Sequence, residues 1–344
     1  MITILHWNPQ DKAVQTVPFD VFLVKRDHLL AAGSVLWIDL CQPTEAEEQL
    51  VLEQFFHVHK LTLEDITRLR REPDAPPHLP KVEEFPDYLF VVVNPLTERF
   101  LKYAGDADAG VDRITPLTQL SALLTHTMLI THHAAQLTCI DTVRGFLQRH
   151  EAQLERGPDY LYHLILDNTV DEFVPVLDYI EDTLDGLETT IINHPKQSLY
   201  VRLLRIKREI ILLRKTLISE REVLVRLARG EFELVDPRET VYYRNVYDHL
   251  VRFTELIEGS REMASDLMQT YLSAQSNHLN QIMKVLTMIS TIVLPMTLVA
   301  GIYGMNFKVL VPDTDHNFGF LIALALMLVS GLFSMTFFWW RRWL

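Results

Sequence analysis

"MKVLTMISTIVLPMTLVAGIYGMNF", residues 283–307, decides the fold. From Val285 to Phe307 no residue is charged, and the same holds from Phe318 to Trp340. Each run exceeds the roughly 20 residues that a helix needs to cross a bilayer. Backbone groups within lipid must pair internally, so two such runs joined by a short loop predict a helical hairpin. Lys284 precedes the first run, Arg341 and Arg342 follow the second, and the connecting loop holds Lys308, Asp313 and Asp315. By the positive-inside rule both termini face the cytoplasm and the loop faces outward. Trp339, Trp340 and Trp343 stand where an interfacial aromatic belt belongs.

Within and just before the first run, Asn280, Met283, Leu286, Ser290, Leu294, Thr297 and Gly301 recur at spacings of three and four. Such spacings place side chains on one helix face. That face alternates polar and small residues with apolar ones, unlike a surface of bulky aliphatics. Two readings fit equally. Polar groups inside a membrane line a protein interior or a water-filled path; small residues also let two helices approach closely.

Composition narrows the function. The 344 residues suffice for about two domains. A net charge of −13 argues against nucleic acid as a partner, because phosphate binding needs a basic surface. Cys41 and Cys139 form no metal or redox spacing and suit a reducing compartment. The N-terminus, "MITILHWNPQDK", lacks the pattern of a cleaved signal peptide. Neither a glycine-rich phosphate loop nor a G-x-S-x-G or H-E-x-x-H motif occurs, so no enzymatic role and no cofactor are expected.

Residues 1–158 read as an α/β domain. "VFLVK", "VLWIDL", "YLFVVVNPL" and "TMLITHH" are strand-like runs. "TEAEEQLVLEQFFHV" predicts a helix with Thr44 as N-cap and Glu47 completing a capping box. "REPDAPPHLP" is a loop. Residues 159–236 predict a helical hairpin: an acidic segment over 159–192, a break at "NHPK", and a basic segment over 197–229. The charges suggest complementary flanks, although two solvated faces are the simpler account. Asp236-Pro237 opens the last cytoplasmic helix. No proline occurs from Arg238 to Leu294, so a stalk over 237–284 continues into the membrane, for a helix of roughly 100 Å at 1.5 Å per residue. The layout continues with a transmembrane helix over 285–303, an outer loop over 304–317, a second transmembrane helix over 318–340 and a basic tail over 341–344.

"YGMN" at 303–306, ending the first of two C-terminal membrane helices, resembles the signature of the CorA family of divalent cation transporters. The whole of 283–307 resembles that family's pore helix, "VLWIDL" followed by "HKLTLEDI" its N-terminal domain, and "RRWL" its terminus. The resemblance implies an α+β cytoplasmic domain, a long stalk helix and a two-helix transmembrane hairpin, assembled as a pentameric funnel. It implies a homopentamer in a bacterial inner membrane that carries hydrated Mg²⁺, or Co²⁺ or Ni²⁺, down the membrane potential. Gly304, Met305 and Asn306 would form the outer selectivity filter, with Asn306 facing the metal ion. Asn280 and Thr297 match pore-facing positions, and Met283, Leu286 and Leu294 match an apolar gate. On that implication the stripe, Ser290 and Gly301 included, lines a pore. A neutral ring of amide and backbone oxygens can hold the waters of Mg²⁺ without stripping them.

Some residues depart from the family. Lys308 stands where relatives often carry an acidic residue, and Asp313, Asp315 and His316 could compensate. Asn245 and Gln269 occupy positions where magnesium-sensing relatives carry aspartate. Asp248, Glu255, Glu258, Glu262 and Asp266 read as a solvated stalk face. His57 with His59 and the pair His132-His133 read as surface residues that leave a zinc-carrying relative open. The alternatives are thus a proton-coupled zinc transporter of the same fold, or a poorly conducting membrane-anchored sensor.

Overall fold

The computed structural model describes residues 1–30, 33–73, 75–98, 100, 117–305, 319–341 and 343. Its elements fall into two compact units.

The first unit comprises Met1–Thr189 and Ser198–Leu267. Seven strands form one sheet: β1 (Ile2–Asn8), β2 (Ala13–Thr16), β3 (Val35–Cys41), β4 (Lys81–Glu84), β5 (Leu89–Val93), β6 (Leu120–Leu124) and β7 (Met128–His133). Their order is β2-β1-β3-β7-β6-β5-β4. The β3–β7 pair is parallel, with Asp39 opposite Thr131, and the other pairs are antiparallel. Central strands buried on both faces read as continuous apolar runs. Leu89–Val93 is accordingly buried throughout.

Each face of the sheet carries helices. Leu36, Ile38, Leu40 and Ile130 join one core with Phe22 of α1 (Phe19–Leu29) and Ile66 of α3 (Lys60–Arg71). Val51 and Leu52 of a π-helical segment, Gln49–Phe55, belong to the same core. That segment continues α2 (Glu45–Glu48), where Thr44 and Glu47 form the predicted capping box. Behind the other face lie α4 (Thr138–Leu147) and α5 (Pro158–Asp171), and α5 packs across β3, β6 and β7.

"VFLVK" is not a strand but part of α1. Phe22 is 1% exposed while Val24 is 85% exposed, so the segment is anchored by one aromatic side chain rather than by alternation. The predicted acidic helix is two helices, α5 and α6 (Val174–Asn193), parted at Glu172-Phe173. Its basic neighbour is α7 (Gln197–Ala228). Arg214 of α7 pairs with Glu258, and Arg226 pairs with Glu231.

Asp236 caps a turn rather than the helix itself. Its Oδ1 accepts from the Arg238 backbone N–H at 2.8 Å, and α8 (Thr240–Tyr303) begins at the following turn. The second unit comprises Thr190–Gln197 and Met268–Leu344. It holds the C-terminal part of α8, with Pro295 inside the helix, and α9 (Gly319–Trp340). Both helices are long and apolar enough to cross a membrane.

Candidate functional site

The membrane hairpin sorts its residues by face. On α8, Lys284, Met288, Ile292, Met296, Val299 and Tyr303 are half-buried. On α9, Ala323, Gly331, Ser334 and Phe338 are buried. These residues form the seam between the helices. A Cβ added to Gly331 would lie 2.9 Å from Met296 Cε, so the flexible end of the methionine packs into the space the glycine leaves. Lys284 Nζ sits 6.0 Å from the Trp343 ring centroid, which joins the start of the apolar run of α8 to the segment just after α9. A cation over an indole face is electrostatically favoured.

The stripe lies elsewhere. Asn280, Met283, Leu286, Ser290, Leu294, Thr297 and Gly301 are all exposed, Leu294 by 71%. At about 100° per residue, the centre of the stripe falls roughly opposite the centre of the seam. Packing within the hairpin therefore does not explain the small and polar residues. The Thr297 hydroxyl donates to the Val293 carbonyl at 2.6 Å, and Thr287, at the edge of the same face, donates to Met283 at 2.7 Å. A hydroxyl whose proton is committed to its own helix offers only lone pairs outward. The waters around a cation point their hydrogens outward and need such acceptors.

At the end of α8, the Gly304 N–H donates to the Ala300 carbonyl at 2.9 Å, and the Met305 N–H donates to Ile302 at 3.2 Å. A Cβ at Gly304 would meet the Ala300 oxygen at 3.0 Å, so this tight closing turn favours glycine. Met305 is exposed. Asn306, Lys308, Asp313, Asp315 and His316 lie outside the described residues. Asn245 and Gln269 are exposed on α8. Glu258 is paired with both Arg214 and Arg261.

The histidine pair is not at the surface. His132 and His133 are buried on β7, and strand alternation sends them to opposite faces of the sheet. His132 Nε2 meets Glu48 Oε1 at 2.8 Å, and Arg70 Nε donates to Glu48 Oε2 at 2.6 Å. His133 Nε2 meets Asp39 Oδ1 at 3.0 Å, its Nδ1 meets the Ala135 carbonyl at 2.6 Å, and Arg144 donates to Asp39 Oδ2 at 2.7 Å. Both ring nitrogens of His133 face acceptors, so the ring is an imidazolium. Although burial pushes against that charge, the Asp39 carboxylate and the other acceptors prevail and raise its pKa to about 10. Against the cost of burial, the His133 and Thr131 hydrogen bonds and the Arg144 charge hold Asp39 below the usual carboxylate range. Sequence reading overlooked this network. Its signal was ionisable residues within two apolar runs, Asp39 in "VLWIDL" and the two histidines in "TMLITHH". His59 is likewise engaged, as the N-cap of α3. Among the described residues no group of three or more His, Cys, Asp or Glu side chains is placed to hold a metal ion.

Comparison with known proteins agrees with this architecture. Residues 32–342 match the family model described as CorA-like Mg²⁺ transporter protein. The cobalt/magnesium transport protein CorA of Thermotoga maritima is 31% identical over 309 residues, covering 90% of this chain and 83% of that protein. The complete structure of the CorA magnesium transporter from Methanocaldococcus jannaschii matches 100% of this chain and 99% of its own, with a TM-score of 0.78 at 22% identity. The ZntB cytoplasmic domain from Vibrio parahaemolyticus matches 80% of this chain and 99% of its own, with a TM-score of 0.60 at 15% identity. These two likenesses concern the fold. With an α+β domain, a long stalk helix and a C-terminal pair of apolar helices, the chain belongs to the CorA-like family of divalent cation transporters, which are membrane transport proteins and not enzymes.

Proposed function

We propose that the chain forms a homopentamer in which the exposed stripe of α8 lines a central pore for hydrated divalent cations, with Mg²⁺ as the main substrate. The observation that carries this reading is the placement of Asn280, Ser290, Thr297 and Gly301 on the face roughly opposite the α9 seam. Polar groups there would face lipid in a lone hairpin, which is costly. Five copies around one axis turn that face to water. The relative from Thermotoga maritima is named for cobalt and magnesium transport, which suits this choice of ion.

In this pore Gly304, Met305 and Asn306 form the outer filter. Asn280 and Thr297 offer neutral oxygens to the ion's waters, and Met283, Leu286 and Leu294 form apolar rings that gate by dewetting. Mg²⁺ releases its waters reluctantly, so accepting hydrogen bonds from them is easier than replacing them. A divalent ion entering a negative-inside bacterial cell gains about 4.6 kcal/mol per 100 mV, at about 2.3 for each charge, and needs no ATP. In this reading both termini are cytoplasmic.

Reconstitution tests it. Liposomes holding a metal-sensitive dye are expected to take up Mg²⁺ without a pH gradient, and Asn306→Ala is expected to abolish selective uptake. No flux of Mg²⁺, Co²⁺ or Ni²⁺ would overturn the transport reading. Flux indifferent to Asn306→Ala would overturn the filter.

A further inference from the structure

A cavity of about 430 Å³ opens beside the carboxyl ends of β3 and β7. This size falls within the roughly 300–1,000 Å³ of small-molecule sites. Ligands of α/β sheets favour the crevice outside the carboxyl ends of parallel strands. Pro43, Leu69 and Pro77 supply apolar wall, and Arg70 and His132 line the same space.

The two basic groups are not independent. Glu48, 2% exposed, takes His132 Nε2 on one carboxylate oxygen and Arg70 Nε on the other. Arg70 is therefore fixed by its Nε edge. Its Nη1 forms a long ion pair with the exposed Glu45 at 3.9 Å, beyond hydrogen-bond reach. The fork of terminal nitrogens is the part of a guanidinium that matches carboxylate or phosphate.

The surroundings are unusual for plain packing. Gln42, on the cavity rim, has a φ of +46°, held by its N–H donating to the His133 carbonyl at 2.9 Å. The π-helical segment Gln49–Phe55 begins at the residue after Glu48. Strained residues and π-helical turns concentrate at functional sites.

We propose that this cavity binds a small organic anion, whose carboxylate or phosphate sits on Arg70 and whose apolar body lies against the prolines. The site belongs to the first unit, and the proposal does not depend on the pore reading. Calorimetric titration of the full-length protein in detergent tests it with three probes: benzoate, phenyl phosphate and uncharged benzamide. Saturable binding of at least one anion, without binding of benzamide, is expected. Benzoate alone assigns a carboxylate, and phenyl phosphate alone a phosphate. Arg70→Gln is expected to weaken binding more than about tenfold, the scale of one charge-assisted bond. Because that change also strips a partner from Glu48, Ala134→Phe serves as a second variant. It fills the cavity and leaves the triad intact, and it is expected to block binding equally. The proposal is overturned if neither anion binds saturably, if benzamide binds as well as the anions, or if binding persists in Ala134→Phe.

Discussion

Replacing His133 with glutamine should change how stability depends on pH, and the structure sets the size of the effect. The imidazolium is held between Asp39 and the Ala135 carbonyl, and its pKa rises from 6.5 to about 10. A raised pKa means that the folded state holds the proton more tightly than the unfolded state does. The resulting stabilisation is complete below pH 6.5 and gone once the pH has passed the folded value. Between those limits it falls with every pH unit, by roughly 3 kcal/mol in all from pH 7 to pH 9. Its full size, about 5 kcal/mol, is near the 3–5 kcal/mol that breaking a buried ion pair costs. Trp37 reports on the same network, since its Nε1 donates to Thr131 Oγ1 and that hydroxyl donates to Asp39. Denaturant unfolding followed by tryptophan fluorescence at pH 7, 8 and 9 should show the native protein losing its advantage over His133→Gln step by step. An unchanged difference across that range would refute a protonated His133.

Three further outcomes follow from other contacts. Glu220 is buried, its pKa is pushed up to about 8, and its Oε1 accepts the Asn94 N–H at 3.0 Å. Glu220→Gln keeps that acceptor and removes the cost of ionising a buried acid, so unfolding experiments should find it stabilising, and more so at pH 8 than at pH 5. Gly331→Leu forces side-chain atoms into Met296 and should destabilise the hairpin by about 1–3 kcal/mol, read as a lower melting temperature in detergent. Arg156 grips Glu239 at 2.6 and 3.1 Å and stacks on Tyr160 and Tyr242 at 3.8 and 4.3 Å, so Arg156→Lys should cost about 1.5–3 kcal/mol in denaturant unfolding.

Legibility in the sequence followed the locality of the physics. The Thr44–Glu47 capping box is a contact across three residues, and it forms as read. The proline-free stretch leading to Leu294 does continue as one helix, through Pro295 to Tyr303. The lengths of the apolar runs gave two helices able to span a membrane. Misreadings arose where distant residues decide the outcome. "VFLVK" has strand-like composition, yet Phe22 reaches the core from a helix and edge-stacks on Phe55 at 4.9 Å. The histidines of β7 looked like surface residues because Glu48 and Asp39, 84 and 94 positions away, are far off in the chain. For the stripe, spacing gave its members but not its role. Only the position of the α9 seam separates a face used for packing from one left open.

Thiol accessibility along that face shows whether the stripe lines the ion path. Cys139 is buried and its thiol is pushed up to about 12, so it stays inert, and Cys41 can be replaced by alanine. In that background Ser290→Cys and Thr297→Cys probe the stripe, and Val329→Cys probes the exposed face of α9. Mg²⁺ uptake into liposomes is recorded before and after a water-soluble, positively charged methanethiosulfonate reagent. The reagent is expected to block uptake through Ser290→Cys and Thr297→Cys and to leave Val329→Cys unaffected. Unblocked uptake through both stripe variants, or equal block of all three, would contradict a pore lined by the stripe.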